Sequence, residues 1–242
     1  MDNFNKLKGL DLFSGYGGIT LGLEDWVRPV AYCEIEPYAQ GILLSRMEDG
    51  SLPLAPIWND VSTLRGYNLP EIDIIYGGFP CQDISVAGNG KGLAGERSGL
   101  FYELCRLVEE IHPKFIFLEN VPAIRTRGLL EVIREFTDLG YDCRWTRVSA
   151  REVEAPHRRE RWFLLAHSNL NRCSEQTEAT SKTTSRRRSE TTTTECDRWP
   201  IEPNVGRVDD GTPFRMDRIK LLGNGVVPKQ VKEAFIKLSG VK

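Results

Sequence analysis

Residues 10 to 34 read L-D-L-F-S-G-Y-G-G-I-T-L-G-L-E-D-W-V-R-P-V-A-Y-C-E, and they decide the fold. Leu10, Leu12 and Phe13 end a first strand. S-G-Y-G-G follows at once, and Ile19, Leu21, Leu23 and Trp26 then begin a helical pattern. Pro29 to Cys33 forms a second strand that ends on Glu34, 19 residues after Gly15. Strand, glycine turn, helix and strand-tip acid is the order of a nucleotide- or nucleoside-binding α/β sheet, in which that acid accepts hydrogen bonds from ribose hydroxyls. Position 20 is Thr, so the third glycine of a G-x-G-x-x-G fingerprint is missing. A nucleoside without phosphates, approached closely by backbone, fits the turn better than a dinucleotide pyrophosphate.

Outward from this unit the pattern repeats. Pro37 to Met47 is expected to be a helix opened by proline, and Trp58 to Val61 a short strand with Asn59-Asp60 at its end. Ile72 to Tyr76 forms an apolar strand that two glycines end, leading into G-G-F-P-C-Q-D-I-S at 77–85. A thiol leaving a sheet edge on a turn stiffened by Pro80 is placed as a nucleophile needs, although a free cysteine is more often a small buried hydrophobe. The glycine-rich stretch at 88–95 is expected to be mobile beside it, as a lid.

Leu100 to Ile111 keeps the 3.6-residue period of a core helix. Lys114 to Leu118 is a buried strand ending in Glu119-Asn120-Val121-Pro122, and a carboxylate there lies on the same sheet edge as Cys81. Leu129 to Leu139 is a helix closed by Gly140. Tyr141 to Val148 and Trp162 to Ala166 are strands, and Arg158, Arg159 and Arg161 lead into the second of them. From Ser168 to Arg198 the chain is polar, with Leu170 its one large aliphatic residue, and disorder is expected there. Lys229 to Leu238 forms a last helix.

The 242 residues suit one substantial core, and no run approaches the roughly 18 apolar residues of a membrane span. The first residues lack an apolar signal core, so a soluble, cytoplasmic protein is expected. Six cysteines, at 33, 81, 105, 143, 173 and 196, contain no C-x-x-C pair, and neither a metal nor a disulfide framework is expected. The net charge of −2 conceals an asymmetry: residues 1–120 carry 9 Lys+Arg against 17 Asp+Glu, and residues 121–242 carry 23 against 17. A polyanion meeting the arginine-rich side would suit that distribution.

Taken together, the residues resemble the cytosine-5 DNA methyltransferase family. D-L-F-S-G-Y-G-G at 11–18 resembles its cofactor motif, and G-F-P-C-Q-D-I-S at 78–85 its nucleophile motif. E-N-V at 119–121 and R-R-E-R at 158–161 resemble its target-base site, and G-N-G-V-V-P at 223–228 its closing motif. The resemblance implies a Rossmann-like S-adenosylmethionine-dependent fold, α/β, with a mostly parallel sheet and helices on both faces. It implies S-adenosyl-L-methionine as methyl donor and a cytosine flipped out of double-stranded DNA as acceptor. The protein is expected to be a monomer, with no metal and no membrane among its partners.

Residue by residue, the resemblance makes Cys81 the nucleophile, Glu119 the group that protonates the ring, and Arg161 with Arg159 the ligands of the base oxygen. Asn120 and Pro80 hold the strand tips. The cofactor would meet Phe13, Gly15, Gly17, Gly18, Glu34, Ile35, Asp60, Val61, Asn224 and Val226. Ile35 stands where the family often carries an aromatic residue, which removes a stacking face, and His157 stands where Gln is commoner. The expected organisation is a catalytic domain at 1–167, a reduced target-recognition region at 168–214 and a returning segment at 215–242, similar to compact phage and prophage members. Two other readings remain open: the same chemistry on RNA, and an inactive protein that binds DNA or cofactor and needs a partner for recognition.

Overall fold

The alternation of large apolar side chains along the central strands creates two buried faces, and the helices cover both. The computed structural model describes residues 6–80, 99–169 and 225–241. It contains strands β1 (Leu7–Leu12), β2 (Val27–Cys33), β3 (Ile57–Trp58), β4 (Ile74–Gly78), β5 (Phe115–Asn120), β6 (Tyr141–Ser149) and β7 (Glu160–Ser168). The helices are α1 (Gly18–Gly22), α2 (Pro37–Glu48), α3 (Gly99–Ile111), α4 (Ile124–Arg127), α5 (Leu129–Asp138) and α6 (Pro228–Ser239). The strands form one sheet in the order β3-β2-β1-β4-β5-β7-β6. All neighbouring pairs from β3 to β5 are parallel, and β7 runs antiparallel to both β5 and β6.

On one face Leu10, Leu12, Ile75, Ile116, Leu118 and Leu164 pack against α3 and α5. On the other Ile74, Tyr76, Phe117, Phe163 and Leu165 pack against α1 and α6. Adjacent residues of one strand thus serve opposite layers, as the two-residue period demands. Helix α2 covers Tyr32 with Leu43 and Met47. The chain order reverses between β1 and β4, and the crevice outside the carboxyl ends of such a pair is where open α/β sheets bind ligands. A Cβ on Gly77 would stand 2.0 Å from the Leu12 carbonyl oxygen. Glycine at that position is what lets β4 lie against β1.

Three expectations need correction. The strand expected at Trp58–Val61 is only Ile57–Trp58, because Asp60 turns the chain: its Oδ1 accepts from the Ser62 backbone N–H (2.8 Å) and hydroxyl (2.7 Å). The helix that starts after the glycine turn stops at Gly22 and does not reach Trp26; Gly22 itself lies against α6, where a Cβ would meet Val231 and the Pro228 carbonyl. The last long strand extends beyond Trp162–Ala166 to Glu160–Ser168, since it pairs on both sides. The expected lid at 88–95 and most of the polar stretch after Ser168 lie outside the described residues. No helix among the described residues is long and apolar enough to cross a membrane.

Asp11 on β1 is buried without a charged partner. Thr20 donates to its Oδ2 at 2.7 Å and lies 2.8 Å from the Tyr76 hydroxyl, while Oδ1 has no hydrogen-bond partner among the described residues. Burial pushes the Asp11 carboxyl up to about 8. The folded chain therefore keeps a proton that the unfolded chain has released above about 4, so this contribution to stability is complete below that pH and is lost as pH rises through about 8. Melting temperature should fall between pH 5 and pH 8.5, by roughly 2–4 °C for each kcal/mol involved. In Asp11→Asn this part of the slope should vanish; an unchanged slope would place the titration elsewhere.

Candidate active site

The carboxyl ends of β1, β2, β4 and β5 bring together most of the residues singled out in the sequence. After β1 the backbone turns sharply: Phe13, Gly15 and Gly17 have φ of 56°, 55° and 83°. For Phe13 this left-handed conformation is strained, and strain of this kind concentrates at functional sites. The turn is held by Glu34, which is buried at the tip of β2. Its Oε2 accepts from Gly15 N at 2.7 Å and its Oε1 from Glu36 N at 2.9 Å. Each carboxylate oxygen has about two acceptor positions, so the group is fixed in orientation with capacity left for hydroxyls. Asp60 follows β3, and its Oδ2 has no partner among the described residues. Burial, then Glu34 and Asp60, push the Cys33 thiol up to about 12, so both acids act at one strand tip.

The remaining cofactor candidates divide. Val61 and Val226 bury their side chains in the two cores, so only their backbones can face a ligand. Ile35 is 67% exposed. Asn224 and Cys81 lie outside the described residues. The three described cysteines are free, and burial raises Cys33 and Cys105 to about 12 and Cys143 to about 11. None of these three is a rival nucleophile.

Glu119 sits opposite Gly78 in the β4–β5 register, and Gly78 stands three residues before Cys81 in the chain. A Cβ on Gly78 would come within 2.8 Å of Glu119 Oε2, so the bare glycine leaves room for the carboxyl over the end of β4. Because β7 inserts next to β5, Arg161 reaches the same carboxyl. Its Nε lies 2.6 Å from Glu119 Oε1, with both side chains about 10% exposed. The two atoms touch without hydrogen-bond alignment, which leaves a charge contact rather than a directed bond. Burial pushes Glu119 up to about 7, against the pull of Arg161 and Arg159. Burial and the Arg161 charge together lower the Arg159 guanidinium. Asn120 Nδ2 donates to the Phe79 carbonyl at 3.0 Å and its Oδ1 accepts from Val121 N at 2.8 Å, tying the tip of β5 to the peptide that enters Pro80.

Sequence reasoning missed Tyr16 and Gln230. The Tyr16 hydroxyl donates to the Val226 carbonyl, Arg46 stacks 5.0 Å from its ring, and a Cβ on Gly225 would meet that ring at 2.2 Å. Tyr16 thus clasps the β1 turn to the C-terminal segment across 210 residues, and nothing local in the sequence marks it. Gln230 does have a signal, since it is a polar residue on the core-facing side of α6.

The open sheet with its order reversal between β1 and β4, the fixed strand-tip acid Glu34 and the buried Glu119 beside Arg161 are those of the Rossmann-like S-adenosylmethionine-dependent methyltransferase fold. A DNA modification methyltransferase encoded within an E. coli prophage shares it at a TM-score of 0.55 and 29% identity, over 67% of this chain and 47% of that one. Residues 7–205 match the model of the C-5 cytosine-specific DNA methylase family, and the chain belongs to that family. Similar proteins include the type II methyltransferase M.CviJI of Paramecium bursaria Chlorella virus IL3A, 34% identical over 96% of this chain and 59% of that protein. Another is M2.BsuMI of Bacillus subtilis strain 168, 36% identical over 66% of this chain and 42% of that protein. The chain spans about half the length of these relatives.

Proposed function

We propose that the chain transfers a methyl group to carbon 5 of a cytosine extruded from duplex DNA. The observation that carries this reading is the buried Glu119 carboxyl, poised at about 7 over the end of β4 and touching Arg161. Carbon 5 of cytosine is a poor nucleophile, so a thiolate must first add to carbon 6. Cys81, two positions after the Phe79 whose carbonyl Asn120 holds, supplies it. As the thiolate adds to carbon 6, the C5–C6 electrons shift toward carbon 4 and Glu119 gives its proton to ring nitrogen 3, which leaves an enamine with carbon 5 nucleophilic. Arg161, with Arg159, holds the base oxygen and balances negative charge. Carbon 5, made nucleophilic in this way, would take the methyl that the bound cofactor supplies; a base, water in the simplest case, then removes the proton on carbon 5, the ring double bond re-forms as Cys81 leaves, and nitrogen 3 returns its proton to Glu119.

The glycine turn and the fixed Glu34 fit S-adenosylmethionine: Phe13 would pack on the adenine, Gly15, Gly17 and Gly18 admit the methionine part, Glu34 holds the ribose and Asp60 accepts from the adenine amino group. Asn224 and the Val226 backbone would close the pocket. When bound, this cofactor supplies the electrophilic methyl. Methylation of duplex DNA with labelled cofactor tests the reading. Wild type should label cytosine, Cys81→Ser should lose essentially all turnover, and 5-fluorocytosine at the target should trap a covalent adduct, because fluorine cannot leave as a proton. Labelling that survives Cys81→Ser, or that appears on RNA in preference to DNA, would overturn it.

Tyr16 acts here as a positioning residue. Tyr16→Phe removes one hydrogen bond, worth about 0.5–1.5 kcal/mol, and keeps the ring under Arg46. The KM for S-adenosylmethionine should rise roughly 2- to 10-fold, by that energy, with kcat little changed. A fall in kcat at unchanged KM would contradict this role.

A further inference from the structure

The hairpin between β6 and β7 carries a cleft that the chemistry above leaves unused. It has a volume of about 340 Å³ and is lined by Arg151, Ala155, Pro156, His157 and Arg158. No carboxylate lines it. No side-chain hydrogen bond or ion pair engages Arg151, His157 or Arg158 among the described residues. Of the acids close by in the chain, Glu152 pairs with Lys237 at 3.2 Å and Glu160 with Arg147 at 3.5 Å, while Glu154 is exposed and forms no ion pair with these arginines among the described residues. Two unneutralised guanidinium groups and an imidazole around one hollow form a site for an anion with several acceptor oxygens.

The cleft is built on a braced loop. Ser149 and Glu152 form a capping box over the 3-10 turn at Ala150–Val153, and Ala155 N donates to Ala150 O at 3.0 Å. Gln230 of α6, fully buried, donates from one nitrogen to Val148 O (2.9 Å) and Arg159 O (2.8 Å), stapling both limbs of the hairpin. Ser149 pairs with Glu160, and Trp162 with Asn120. The loop therefore projects beyond the carboxyl end of β5, on the edge that presents Glu119, with Arg158 three positions from Arg161.

We propose that this cleft binds a backbone phosphate of the duplex next to the nucleotide presented to Glu119. The proposal rests on the DNA reading above and deepens it, naming a contact that positions the strand without reading its sequence. Phosphate contacts release counterions, so each one lost should lower the slope of log affinity against log salt by about 1. The test is duplex binding by the full chain at several salt concentrations, for Arg151→Ala, Arg158→Ala, the double variant and both lysine replacements. Arg28→Ala, which removes an exposed arginine near the amino end of β2, away from the carboxyl ends of the strands, is the control. The alanine variants should lose affinity equally for unrelated sequences and lower the slope, while the lysine variants keep the slope and the KM for S-adenosylmethionine stays constant. A double variant with the slope of Arg28→Ala would overturn the cleft while leaving cytosine methylation by wild type intact. A wild type that does not bind duplex, or that prefers folded RNA, would overturn both.

Discussion

Glu119→Gln should lower methyl transfer by about 10²- to 10⁴-fold, the range set by removal of a positioned general acid. Gln has nearly the same shape and still fits over Gly78, so the loss would report the proton and not the packing. In wild type the pH profile should be a bell. Activity rises as Cys81 ionises and falls above about 7, where Glu119, held near that value by burial, gives up its proton. The descending limb should be missing in Glu119→Gln. Stability carries the same signature: the folded value lies above the ordinary carboxyl range, so the neutral form's contribution is complete below about 4.5 and is lost as pH rises through about 7. Turnover within about fivefold of wild type, or an unchanged descending limb, would remove Glu119 from the role of acid, for which contributions of at least ~10²-fold are usual.

Arg161→Ala should reduce both stability and rate, and the two effects should depend on pH in opposite senses. Removing one member of a buried pair costs about 3–5 kcal/mol when the other stays charged. Glu119 can escape that cost by keeping its proton, so the melting temperature should fall more at pH 8 than at pH 6. Loss of the nearby positive charge should raise Glu119 further and move the descending limb of the rate profile to higher pH. The rate itself should fall by about 10²-fold or more, because the base oxygen loses its cationic partner. Arg161→Lys would restore charge but not the planar fork, and should recover stability better than rate. A descending limb that stays in place would show that Arg161 does not act on Glu119.

The order of elements was legible from residues 10 to 34 and from the apolar runs at 72–76 and 114–118, because strand, glycine turn and helix are written in short-range periodicity. Strand-tip candidates were legible for the same reason: Glu34 and Glu119 each stand where such a run stops. The extent of β3 was misread because the hydrogen bonds of Asp60 to Ser62 end the strand early, and a turn of that kind competes with a strand on nearly equal terms.

Local pattern by itself therefore determined which segments are strands and helices and which residues stand at strand tips, since each depends on neighbours within a few positions. Only the tertiary structure decided that β7 would enter between β5 and β6, so that Arg161 meets Glu119, that Tyr16 would reach Val226, and that Gln230 would brace the β6–β7 hairpin. Those contacts join residues 42, 210 and at least 71 positions apart. Which distant partners meet is settled by the burial of whole faces, and no short window of sequence holds that information.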